Sequence, residues 1–159
     1  MSNIKNLGQI KSIREQLKKE NKKVVFTNGC FDIIHAGHID YLSRAKDLGD
    51  VLIVGLNTDD SVKRIKGNKR PIIKESDRAL ILSNLKPVDY VIFFDEDTPI
   101  KLIEQLVPDI LVKGSDWEIE DIVGKDVVIN NGGEVKNIKF VNDRSTSQII
   151  QTIVNRYKN

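Results

Sequence analysis

Five short apolar runs punctuate the chain: Val24 to Thr27, Val51 to Leu56, Tyr90 to Phe94, Ile110 to Val112 and Val135 to Phe140. Stretches of helical character lie between most of them. That alternation restricts the fold more than any single residue does. Strands alternating with helices build βαβ units, and right-handed crossovers turn these into a mostly parallel sheet with helices on both faces. The expected class is therefore α/β, with ligands at the carboxyl ends of the strands. Ahead of the first run, Leu7, Ile10, Ile13 and Leu17 recur at helical spacing and predict an amphipathic helix over residues 7 to 20, packed on the sheet edge. Gly132-Gly133 reads as a helix stop. Ser145 with Thr146 reads as the cap of a last helix whose apolar stripe is Ile149, Ile150, Ile153, Val154 and Tyr157.

At 159 residues, 40% hydrophobic and 30% charged, the chain can bury one core without disulfides or a metal, so residues 1–159 are read as a single domain. A net charge of +2, with the two signs interspersed, argues against a nucleic-acid surface. One cysteine excludes an intramolecular disulfide. No signal-peptide stretch and no run of about 18 apolar residues occurs, so no membrane segment is expected and the protein is read as cytoplasmic.

The chemistry concentrates after the first run, in Thr27-Asn28-Gly29-Cys30-Phe31-Asp32-Ile33-Ile34-His35-Ala36-Gly37-His38, which holds the only two histidines of the chain. Gly29 and Gly37 let the backbone approach a ligand just before a helix starts. A helix N-terminus offers unpaired N–H groups and a positive dipole end, and imidazoles beside it can donate to anionic oxygens. The pattern suits phosphate. Two other readings stand beside it: a metal site with Cys30, which lacks a further Cys or His ligand, and a pair of structural histidines.

Four further segments fall at strand ends or loops. Asn57, after the second strand, either bonds a substrate or caps the helix that starts near Asp59. The stretch Val62 to Pro71 packs cations around a glycine and reads either as a solvated face or as a loop that folds over a triphosphate. Lys66 and Arg70, flanking Gly67 and Pro71, are its phosphate candidates ahead of Lys63 and Arg64. Lys113-Gly114-Ser115-Asp116-Trp117 ends another strand with a glycine, a carboxylate and the only tryptophan. Arg144-Ser145-Thr146-Ser147 offers hydroxyls and N–H groups at a helix start as a second anion site, and capping alone would explain one hydroxyl rather than three.

With these residues in view, T-N-G-C-F-D-I-I-H-A-G-H resembles the signature of the nucleotidyltransferase superfamily that carries a His-x-Gly-His motif. The strings G-L-N-T-D-D-S-V-K-R-I-K-G-N-K-R-P-I, F-F-D-E-D-T-P, P-D-I-L-V-K-G-S-D-W, N-G-G-E-V and R-S-T-S are most similar to the branch that adenylylates a heptose 1-phosphate. The likeness runs from about Lys11 to Ile153. Many members end in I-S-S-T-x-x-R, whereas this chain has Ser145-Thr146-Ser147 with no arginine following, as in the heptose and glycerol-phosphate branches. In many bacteria this activity is fused behind a sugar kinase, and at this length the chain is expected to be the stand-alone version.

The resemblance implies a Rossmann-like fold of the nucleotidyltransferase type and a reaction in which an oxygen of the sugar 1-phosphate attacks the α-phosphorus of ATP in line. It implies His35, His38 and Lys66 as catalytic residues. Thr27, Asn28, Gly29, Phe31, Gly37, Asn57, Arg70, Gly114, Asp116, Arg144, Ser145, Thr146 and Ser147 would bind the nucleotide. Asp32, Lys113 and Trp117 would lie toward the acceptor, with Asp32 also able to orient a histidine or a metal's water shell. Mg²⁺ would arrive on the ATP phosphates with few or no protein ligands, and the partners would be ATP, a sugar 1-phosphate and further copies of the chain in a homo-oligomer. A cytidylyltransferase acting on glycerol 3-phosphate would share the motifs. A nucleotide-binding module without catalysis is the reading from another class.

Overall fold

The computed structural model describes residues 3–114, 118–139 and 145–158. Its elements in chain order are α1 (Leu7–Lys19), β1 (Val24–Gly29), α2 (Ala36–Lys46), β2 (Val51–Asn57), α3 (Asp59–Lys66), α4 (Glu75–Ser83), β3 (Tyr90–Phe94), α5 (Ile100–Leu106), β4 (Ile110–Gly114), α6 (Lys125–Asn130), β5 (Glu134–Ile138) and α7 (Thr146–Tyr157). The five strands form one parallel sheet in the order β3-β2-β1-β4-β5. The chain thus builds outward from β1 to β3, then returns to the other side of β1 for β4 and β5. That reversal leaves a crevice at the carboxyl ends of β1 and β4, where open α/β sheets take ligands.

The strands read as continuous apolar runs because both of their faces are covered. Alternate side chains serve two cores: Val25, Leu52, Val54, Val91, Ile110 and Val112 pack with Leu42 and Ala45 of α2 and Ala79 and Leu82 of α4. Their neighbours Val24, Phe26, Ile53, Ile92 and Leu111 pack on the opposite side with Ile10 and Leu17 of α1, Leu102, Ile103 and Leu106 of α5 and Val128 of α6. The helix expected over 7–20 is α1, opened by a capping box between Asn6 and Gln9. It packs on a face of the sheet rather than along its edge, because Ile10 and Leu17 belong to the same buried core as side chains of β1, β2, β3 and β4. No helix of the described residues is long and apolar enough to cross a membrane.

The central seam is uneven. β1 pairs with β2 over six residues, Val24 to Gly29, but with β4 only at Val25 and Phe26. Beyond that point Tyr41 of α2 stands between the strands. Its hydroxyl meets Thr27 Oγ1 at 2.7 Å and donates to the Val112 carbonyl at 3.2 Å, taking the place of ladder bonds.

Candidate active site

The residues between β1 and α2 turn sharply. Phe31 sits at φ 45°, a left-handed conformation that costs a non-glycine residue energy and persists where surrounding packing imposes it. Here the packing is its own ring, 7% exposed, tilted against His38 with centroids 5.3 Å apart. His35 occupies the N-cap position of α2 and His38 its first turn, so the spacing of three brings the imidazoles to one face, stacked at 3.9 Å. Burial, reinforced by the neighbouring His35, pulls His38 down to about 4. At neutral pH that ring is uncharged, and its buried Nδ1 has no hydrogen-bond partner among the described residues.

Asp32 lines the cavity and is also bonded within the protein. Its carboxylate is sealed from solvent and accepts the amides of Ile72 and Ile73, both at 2.8 Å, and Arg70 Nε at 2.5 Å. Burial alone would push this carboxyl up, but the two amides and the guanidinium outweigh it and hold it below the usual range. Asp32 therefore anchors residues 70–73 beside the histidine motif.

The cation run is divided between a helix and a loop. α3 continues through Lys66, carried by the Thr58 cap, acidic Asp59 and Asp60 in its first turn and basic residues in its last, and it stops at Gly67, φ 92°. Lys63 pairs with Asp60 and Arg64 with Asp97. Lys66 has no ion-pair partner among the described residues and lines the cavity with Arg70. The cap of α3 is Thr58, so Asn57 is left to line the cavity, with its Nδ2 donating to Ser61 Oγ at 2.9 Å. One cation escaped the sequence reading. Arg78 of α4 is fully buried, donating to the Ile73 and Cys30 carbonyls and to Asp59 Oδ1 at 2.9, 2.6 and 2.7 Å, which ties three segments of the site together.

These elements enclose a cavity of about 870 Å³ at the crevice. Of the expected residues, it is lined by Asn28, Gly29, Phe31, Asp32, His35 and His38 from the motif, by Asn57, Lys66 and Arg70 from the β2 side, and by Lys113, Gly114, Ser145, Thr146 and Ser147 from the far side. Thr27 and Gly37 do not line it. Thr27 is fully buried below it with its hydroxyl on Tyr41, and Gly37 is buried in the first turn of α2. Asp116, Trp117 and Arg144 lie outside the described residues. Ser145 closes a capping box with Gln148, whereas Thr146 Oγ1 reaches the Ile33 carbonyl at 3.5 Å. The wall also includes Tyr41, Ile65, Asp97, Thr98, Pro99, Val123 and Gln148; Ile65 and Asp97 to Pro99 lie in strings that carry the resemblance, though none of the seven was expected at the site. A histidine pair at a helix start, sharing the cavity with Lys66 and Arg70, can bind a polyphosphate and stabilise charge as it develops there.

A family model described as cytidylyltransferase-like matches residues 26–152. The bifunctional protein HldE of Citrifermentans bemidjiense is 56% identical over 156 residues, 98% of this chain and 32% of that protein. HldE of Campylobacter concisus is 54% identical over 150 residues, 94% of this chain and 30% of that protein. The chain therefore spans about a third of the length of these relatives. Among solved structures, the lipopolysaccharide core biosynthesis protein of Thermoplasma volcanium is 33% identical with a TM-score of 0.63, over 77% of this chain and 99% of that one. The pantoate-beta-alanine ligase of Francisella tularensis, complexed with beta-gamma ATP and beta-alanine, has a TM-score of 0.62 over 91% of this chain and 68% of that one; at 18% identity it is a likeness of fold.

Proposed function

The chain belongs to the cytidylyltransferase-like family, and from that premise we propose that it transfers AMP from ATP to D-glycero-β-D-manno-heptose 1-phosphate, giving ADP-heptose for surface-glycan synthesis and releasing pyrophosphate. The observation that carries the reading is the stacked His35–His38 pair facing Lys66 and Arg70 across one cavity. The heptose acceptor is supported by the motif strings set out above and by the HldE relatives. The name of the Thermoplasma protein points the same way.

An oxygen of the sugar phosphate forms a bond to the α-phosphorus as the bond to the pyrophosphate oxygen breaks. The attacking group is already an anion, so positioning and charge stabilisation are what the protein supplies. His35 and His38 donate to the phosphate oxygens, Lys66 and Arg70 draw the triphosphate in, and Asp32 fixes the segment that carries Arg70. Mg²⁺ supplies charge neutralisation on the triphosphate. The donors present fit a cation carried by the nucleotide, because Asp32 is already occupied and no group of three or more His, Cys, Asp or Glu among the described residues is placed to hold a metal. The reading places the enzyme in the cytoplasm with its ATP, as a homo-oligomer; Ile153, Val154 and Tyr157 of α7 are exposed and available for contact between copies.

Pyrophosphate release with Mg²⁺ tests this directly, offering ATP and CTP in turn against the heptose 1-phosphate and glycerol 3-phosphate. Turnover with ATP and the heptose phosphate is expected. Turnover confined to CTP and glycerol 3-phosphate would move the substrate, and none with any pair would leave a binding module. His38→Ala should fold and lose about 100-fold or more in turnover.

A further inference from the structure

We propose that Asp97 reads the hydroxyl groups of the acceptor sugar; this rests on the sugar-phosphate reading of the preceding section. Asp97 belongs to the loop that follows β3, and with Thr98 and Pro99 it walls the cavity. That loop is exposed, yet α3 fastens it at several points. Thr58 Oγ1 donates to Asp95, Ser61 Oγ to the Glu96 carbonyl at 2.9 Å, and Arg64 both to the Asp95 carbonyl and, through Nε, to Asp97 Oδ1 at 2.7 Å. Ser61 in turn accepts from Asn57, so the loop is tied to the site itself. An exposed loop owes little stability to such bonds, whereas recognition requires side chains held to within a fraction of an ångström.

The charge at this position is also informative. Lys66, Arg70 and Lys113 also line the cavity, so cations outnumber carboxylates among the described residues of its wall. A carboxylate there repels phosphate unless it faces donors. Of the two carboxylates that the described residues place in the wall, Asp32 is sealed by amides and Arg70. Asp97 is exposed, Oδ1 takes Arg64, and no hydrogen bond from the described residues reaches Oδ2. A fixed carboxylate oxygen beside the Thr98 hydroxyl accepts vicinal hydroxyls, the groups a heptose offers in number.

The topology chooses between the two polyols present. On the sugar-phosphate reading the nucleotide would take the crevice between β1 and β4, where the strand order reverses and open α/β sheets bind ligands. β3 lies two strands from β1 on the opposite side, about 10 Å at ordinary strand spacing. That distance suits a sugar ring extending away from the reacting phosphate. The ribose of ATP belongs to the other flank.

Kinetics of the full chain with Mg²⁺, ATP and the heptose 1-phosphate provide the test. Asp97→Ala should raise the KM of the sugar phosphate by about 10- to 100-fold, the loss expected of hydrogen bonds to a charged group, with the KM of ATP within about twofold. Asp97→Asn, which keeps an acceptor oxygen, should fall between. Arg64→Gln, which frees Asp97 without removing it, should raise the acceptor KM by a smaller factor. An active wild type whose acceptor KM is unmoved in Asp97→Ala overturns this assignment alone, and a rise in the KM of ATP instead would assign Asp97 to the ribose. A wild type inactive on sugar phosphates overturns the reading of the site and this inference with it.

Discussion

His38 is held neutral by its surroundings, and that state has two measurable consequences. Its pKa stands at about 4 instead of the ordinary 6.5. Between those values the unfolded chain binds a proton that the folded chain does not, so this residue makes stability rise with pH through the window and fall as the pH drops toward 4. Urea midpoints measured from pH 4 to pH 7 should show that slope, and His38→Ala should flatten it. A triphosphate arriving beside the ring reverses the bias, since an anion favours the charged form. Binding of Mg²⁺-ATP at pH 6 should therefore take up protons, and affinity should weaken as pH rises. Calorimetry in two buffers of different ionisation heat reads the uptake; identical heats would deny His38 a place at the phosphates. Residues of this kind were legible in advance because the motif is local, with the histidines, their helix start and the preceding strand within one short segment. Asp97 was not, because its placement depends on Arg64, far from it in sequence.

At the level of elements, the site is a joint between three segments, and Arg78 is its common member. Replacing it by Met leaves Asp59 and the carbonyls of Cys30 and Ile73 without their donor in a buried setting. Removing one partner of a buried, hydrogen-bonded charge costs about 3 kcal/mol, which urea unfolding of Arg78→Met should register. Turnover should fall further than stability accounts for, since the loop carrying Arg70 loses one of its two anchors. No motif in the sequence draws attention to Arg78. Nothing in its neighbourhood announces that the guanidinium points inward, because its acceptors come from β1's loop and from α3. The cation run was misleading in the opposite sense. Glycine and proline made it read as loop, yet the Thr58 cap and the sign of the charges at each end of α3 carry the helix through Lys66.

Across the whole molecule, the parallel sheet was foreshadowed by the alternation of runs, whereas the strand order, and with it the crevice at the reversal between β3 and β4, came from the structure. What could not be foreseen is how the crevice is kept open. That task falls to the Tyr41 hydroxyl, bonded to Thr27 and to Val112 where β1 and β4 stop pairing. Tyr41→Phe removes the bridge with little change of shape and leaves the Val112 carbonyl unsatisfied, so a loss of about 1–3 kcal/mol is expected in chemical unfolding. A wild-type midpoint would show that the strands part without its help. Past Phe26, moreover, β1 has strand company on its β2 side alone. On its other side the end of β1 is consequently joined to β4 through a side chain from a helix, the Tyr41 hydroxyl, and not through a strand ladder. The loops of the β3 flank, two strands away, can thus vary by mutation without disturbing that seam.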